Sequence, residues 1–133
     1  MSGFRLHRPE DPRGVRFARV VFLAAGIWGV LLFVPMYFTE LLVPGAESPA
    51  QFHPENFYGF VGVGLAWQVA FLIVSRDPQR FRPLIPAALI EKFAFGLAAL
   101  ILGAYGRVPA SLVGFGLIDL LLGVLFAISY QML

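Results

Sequence analysis

The sequence predicts an all-α membrane protein, a four-transmembrane-helix up-and-down bundle with both termini cytoplasmic. Three observations carry this reading. Hydrophobic residues make up 59% of the chain and charged ones 14%, with a mean hydropathy of +0.78, against about 45–50% and about 25% in soluble domains. A soluble chain of 133 residues would keep too much of its surface exposed to hide that apolar content. Four apolar stretches then reach the roughly 20 residues needed to cross a hydrocarbon core of about 30 Å. Finally, the arginines gather on alternate connections, and the positive-inside rule orients the bundle from them. With no cysteine, disulfides, thiolate metal sites and a cysteine nucleophile are excluded.

Residues 1–16 read as an Arg-rich cytoplasmic arm and 17–133 as the bundle, with helices at about 17–43, 56–75, 83–105 and 110–132. Arg5, Arg8, Arg13, Arg16 and Arg19, interrupted by Pro9 and Pro12, supply topogenic charge before the first apolar core, Val20–Thr39. Pro35 should kink that helix or loosen its last turns. Ala25 and Gly29 stand four apart, a spacing that lets another helix approach closely. Trp28 falls near mid-depth, away from the interfacial belt, and reads as bundle packing or as part of a ligand wall.

The first outer loop carries Glu40, Glu47, Glu55 and His53 but no Lys or Arg. One histidine among solvated carboxylates does not make a metal site. In the second helix Gly59, Gly62, Ala66 and Ala70 form a continuous small-residue stripe, the signature of close helix packing in lipid. Trp67 and Gln68 follow in its inner half, where Gln68 needs a hydrogen-bond partner. RDPQRFR, residues 76–82, is a tight basic turn. The third helix, opened by Pro83 and Pro86, holds Glu91 and Lys92 in an apolar run. After the Gly106–Pro109 turn, the fourth helix places Gly116, Asp119 and Gly123 on one face.

Depth can be compared once orientation is set. At about 1.5 Å per residue from the cytoplasmic ends, Gln68 and Glu91 lie about 10 Å in, Lys92 about 12 Å and Asp119 about 16 Å. Lys92 shares a stripe with Ala88, Gly96, Ala99 and Gly103, and Glu91 shares one with Ala87, Ala94 and Ala98. The expected arrangement is a Lys92–Asp119 ion pair, with Glu91 hydrogen-bonded to Gln68 near Trp67. Gln68, Glu91, Lys92 and Asp119 are therefore the candidate site, with Trp28 and Trp67 as an aromatic wall. The plain alternative is polar glue between helices, or a Lys92 that snorkels to the headgroups.

The stretches FYGFVGVGLAWQ, EKFAFG and GFGLIDLLLGVLF resemble small four-helix bacterial membrane proteins of the uncharacterised, DoxX-like kind. That resemblance spans the four helices, implies a compact bundle in the bacterial cytoplasmic (inner) membrane, and supplies no catalytic residue. The buried acids and tryptophans are also similar to four-helix sterol-isomerase and sigma-2-receptor-like proteins, which hold a lipophilic ligand. Those enzymes use an intramembrane histidine, whereas His7 and His53 both lie outside the predicted helices.

No phosphate loop, nucleophile elbow or zinc helix is present, and no basic patch interleaved with aromatics suggests nucleic acid. No metal and no cofactor is expected. The leading expectation is a non-enzymatic accessory subunit of a membrane complex, or a homo-oligomer, with the bilayer, other subunits or itself as partners. The alternatives are a binder, carrier or isomerase-like enzyme for a lipophilic ligand using the buried carboxylates, and a component of a proton-coupled transporter.

Overall fold

A computed structural model describes residues 12–42 and 53–133. Arg5, His7, Arg8 and Glu47 lie outside the described residues. In chain order the elements are α1 (Pro12–Tyr37), α2 (Thr39–Leu42), α3 (Pro54–Arg76), α4 (Ile85–Ala104) and α5 (Ala110–Met132), with one 3-10 turn, Arg82–Leu84, leading into α4. Among the described residues there is no strand. α1, α3, the Arg82–Ala104 segment and α5 are each long and apolar enough to cross a membrane.

α1 begins at Pro12, so Arg13 and Arg16 belong to its first turns and not to an arm before it. Proline suits a helix's first position because its missing N–H would be unpaired there anyway. Three arginines near an N-terminus oppose the helix dipole by about 0.3–1 kcal/mol each. Packing holds this end in place: a Cβ at Gly14 would lie 2.5 Å from the Met132 carbonyl oxygen. At its other end α1 loosens just after Pro35. The Phe38 amide bonds back to the Pro35 carbonyl at 3.1 Å, and the Thr39 hydroxyl donates to the Met36 carbonyl at 2.6 Å.

α3 buries Phe57, Val61, Gly64, Gln68, Phe71 and Ser75, an alternating four-and-three spacing that keeps one seam facing a neighbour. That neighbour is α1. Gly26 faces Leu72, Gly29 faces the Gln68 side chain and Gly64 faces the Phe33 ring, each too closely for a Cβ. The small-residue stripe expected to pack here does not do so: Gly59, Gly62 and Ala66 are exposed and Ala70 is half-buried. A Cβ at Gly59 or Gly62 would meet nothing within 4 Å.

The connector turns on Asp77, whose Oδ1 accepts the Arg80 amide at 3.3 Å. α4 buries Ile85, Ala88, Lys92, Gly96 and Ala99; apart from Ile85 these belong to the stripe read from the sequence around Lys92, whose last member, Gly103, is half-buried. It packs on α5 through Gly96 against Leu120, Gly116 against Ala99 and Gly123 against the Phe93 ring. Between them Gly106 adopts φ +69°, a left-handed turn that favours glycine.

The main interfaces are α1 on α3, α4 on α5 and α1 on α5. α3 and α4, although consecutive, share the packed core only near their connector, where Phe71, Val74, Ile85 and Ala88 meet. This departs from a bundle in which every sequence neighbour packs along its length. The reason lies in the rings. Phe22 of α1, Phe71 of α3 and Phe126 of α5 are all fully buried. Phe22 stacks on Phe126 at 4.1 Å and Phe71 meets Phe126 edge-on at 4.9 Å. The stack ties α3 to α5 directly and both to α1, and fills the connector end. Farther along, a smaller cluster of Phe57 and Val61 with Phe33, Met36 and Tyr58 holds α3 to α1 alone.

Candidate functional site

Lys92 falls on the buried seam of α4 because its four-carbon stem can pack like an aliphatic side chain. It is 3% exposed, and its ammonium lies 5.1 Å from the centroid of the Phe71 ring. Nζ donates to Asp119 Oδ1 at 3.3 Å, which realises the expected pair across α4 and α5. Glu91 is one residue, or about 100° of helix, away. Its Oε2 is 3.5 Å from the same Nζ but receives no hydrogen bond. The group is thus a triad of one cation between two carboxyls. Both carboxyl side chains keep a small exposed fraction, 18% for Glu91 and 16% for Asp119.

Gln68 is fully buried. The expected hydrogen bond to Glu91 is not made. Instead Nε2 donates to the Gly64 carbonyl, one turn back on α3, at 2.9 Å. Oε1 has no partner. The side chain can lie there because Gly29 leaves it room; a Cβ at that position would overlap the amide. Depth matched Gln68 to Glu91, but the amide donates along its own helix instead of across to α4.

These four residues stand on the wall of a cavity of about 810 Å³ between α3 and α4, backed by α1 and α5. Its volume falls within the roughly 300–1,000 Å³ of small-molecule pockets. Gly59, Phe60 and Val63 form one lip and Ile90 and Ala94 the other, and all five are exposed. Both tryptophans line it: Trp28 reaches toward Phe115 of α5 at 6.5 Å, and Trp67 toward Phe71 at 6.2 Å. The polar atoms sit at the end nearer the connector. Phe33, Met36, Phe60, Leu112 and Phe115 line the remainder, and Phe33 meets Phe60 edge-on at 5.9 Å. These five escaped sequence reasoning. Nothing in the chain marks them as facing a gap instead of a neighbour.

Of the residues expected to pack helices, Ala25, Gly29, Gly96, Gly116 and Gly123 are buried. Ala87 and Ala94, expected at a helix contact with Glu91, line the cavity, and Ala98 is exposed. His53 and Glu55 make an exposed 3.6 Å contact within one turn. Among the described residues no three His, Cys, Asp or Glu side chains gather as a metal set. No protein-family model matches the chain, and it matches neither a curated protein nor a solved structure.

Proposed function

We propose that the chain is an integral membrane protein, of the kind found in a bacterial cytoplasmic membrane, whose cavity binds or carries a lipophilic small molecule. Four apolar helices of spanning length support insertion. Arg13, Arg16 and Arg19 at the start of α1, with Arg76, Arg80 and Arg82 at the connector, stand at one end of the bundle. Glu40, Glu55 and a single Arg107 stand at the other. Counted by the positive-inside rule, the first end is cytoplasmic and carries both termini.

The observation that carries the binding reading is the cavity itself. An apolar, aromatic-lined space with a few polar groups converging at one end is the usual form of a ligand site. Ionisable residues inside a membrane segment are expensive and normally face such a space. A lateral gap between two helices also gives a lipid-soluble molecule a route from the bilayer without passing through water. The test is extraction in a mild detergent followed by native mass spectrometry. One amphiphile per chain should remain on the wild type and be lost from Gly59→Leu, whose side chain would occupy the lip. The same lipids on both proteins would refute the reading.

A second reading, an accessory subunit or homo-oligomer, is favoured by the exposed face of Gly62 and Ala66 on α3, where a further helix could approach closely. Cross-linking through Gly62→Cys in the membrane tests its homo-oligomeric form, and a purely monomeric product removes it.

A further inference from the structure

A groove of about 410 Å³ lies between the start of α1 and the end of α3, and shares no residue with the cavity. Arg19, Val20 and Leu23 of α1 line one side, and Leu72, Ser75 and Arg76 of α3 the other. The two helices run in opposite directions, so the pattern is mirrored. Each sets an arginine at the connector end and a leucine on the same face one turn deeper, about 6 Å at 1.5 Å per residue. The deep end closes where Leu72 meets Gly26 too closely for a Cβ. Both arginines are exposed, and among the described residues neither has a carboxylate partner. Their neighbours at this end are engaged: Arg82 bonds the Tyr130 carbonyl at 3.1 Å, and Arg80 lies 5.4 Å over the Phe81 ring. No acidic side chain lines the groove, and the Ser75 hydroxyl donates back to the Leu72 carbonyl at 2.6 Å.

We infer that this groove seats an anionic phospholipid of the bilayer, its phosphate between Arg19 and Arg76 and the first carbons of one acyl chain along Val20, Leu23 and Leu72. The inference rests on the membrane placement proposed above and not on the ligand cavity. A cleft lined by charges of one sign concentrates the opposite sign. Guanidinium suits a phosphate in particular, because its planar fork gives two parallel N–H donors to two oxygens. The arginines flank the apolar cores of two spanning helices, the level at which basic residues meet anionic headgroups. The order of the groove, charge first and apolar wall one turn deeper, is the order of a lipid. A free phosphate would use the arginines and leave the apolar wall uncovered.

The experiment is native mass spectrometry in a mild detergent, titrating phosphatidylglycerol and phosphatidylcholine of identical acyl chains at fixed ionic strength. The wild type should bind its first phosphatidylglycerol about tenfold or more tightly than phosphatidylcholine, the preference that two basic residues at a headgroup supply. Arg19→Gln combined with Arg76→Gln should bind the two lipids alike. Arg16→Gln combined with Arg80→Gln removes the same charge from the same end but outside the groove, and should keep most of the preference. Val20→Trp fills the groove without changing the charge, at a position 61% exposed and so tolerant of bulk. It should weaken phosphatidylglycerol binding several-fold. No preference in the wild type, equal loss in the two double variants, or full binding by Val20→Trp overturns the inference, the last two by assigning the attraction to the basic end as a whole. None of these results touches the cavity, which Gly59→Leu tests. Recovery of the expressed chain in the aqueous fraction of a lysate overturns the membrane placement itself.

Discussion

Removing the cation of the triad tests the physical core of the site. Lys92 is almost wholly buried and its Nζ faces Asp119 at 3.3 Å and Glu91 at 3.5 Å. Replacing it with methionine keeps most of the stem's packing and leaves two carboxyls facing each other without compensation. Breaking a buried ion pair by deleting one partner costs about 3–5 kcal/mol, most of it the penalty on the charge left behind. Lys92→Met should therefore lose about that much stability. Adding Asp119→Asn removes one of the stranded charges, and the double variant should recover to within about 2 kcal/mol of wild type, since removing a buried pair together is often nearly neutral. Asp119→Asn alone should cost less than Lys92→Met, because Glu91 remains beside the ammonium. It should still cost more than Glu91→Gln, which leaves the Lys92–Asp119 hydrogen bond in place. A charge-assisted bond of that kind contributes about 1.5–3 kcal/mol. The assay is unfolding in mixed micelles followed by tryptophan fluorescence, analysed as a double-mutant cycle. Additive losses from Lys92→Met and Asp119→Asn would show that the two side chains do not act as a pair.

Four further outcomes follow from the packing. Gly29→Ala pushes a methyl group into the Gln68 amide and should destabilise by about 1–3 kcal/mol. Gly62→Ala meets open space and should be neutral or stabilising by up to about 1 kcal/mol, both read by thermal denaturation in detergent. Gly59→Leu, also unobstructed at Cβ, should fold as well as wild type by circular dichroism while losing cavity binding. Arg82 donates to the Tyr130 carbonyl at 3.1 and 3.3 Å and lies 3.9 Å over its ring. Arg82→Ala should thus cost about 1–2 kcal/mol and speed hydrogen exchange in the last turn of α5.

The sequence carries the long-range pair but not the space beside it. Lys92 and Asp119 could be matched because each lies on an unbroken small-residue stripe of its own helix, and the two stripes face each other in the shortest antiparallel connection. α3 offered two competing stripes. Gly59, Gly62, Ala66 and Ala70 look like a packing face, yet Phe57, Val61, Gly64, Gln68 and Phe71 are the ones buried. Phe71 decides between them, because its ring completes the stack with Phe22 and Phe126 and so fixes the rotation of the whole helix. A small-residue stripe says that a helix can come close; it does not say which helix, or whether one does. Gln68 shows the same limit: matching its depth to Glu91 could not reveal that its NH₂ group would donate within α3, to the Gly64 carbonyl. The cavity is illegible for a related reason, since an up-and-down bundle implies that sequence neighbours pack antiparallel on one another. Its existence depends on where three phenylalanines from three different helices meet.

The claim that Gly59, Phe60, Val63, Ile90 and Ala94 frame an entrance to a ligand cavity is tested most directly by quenching Trp28 and Trp67 with 10-bromodecan-1-ol in nanodiscs. Quenching should saturate in the wild-type protein and show only the linear, partition-driven component in Gly59→Leu. Indistinguishable, non-saturating curves for the two proteins would contradict it.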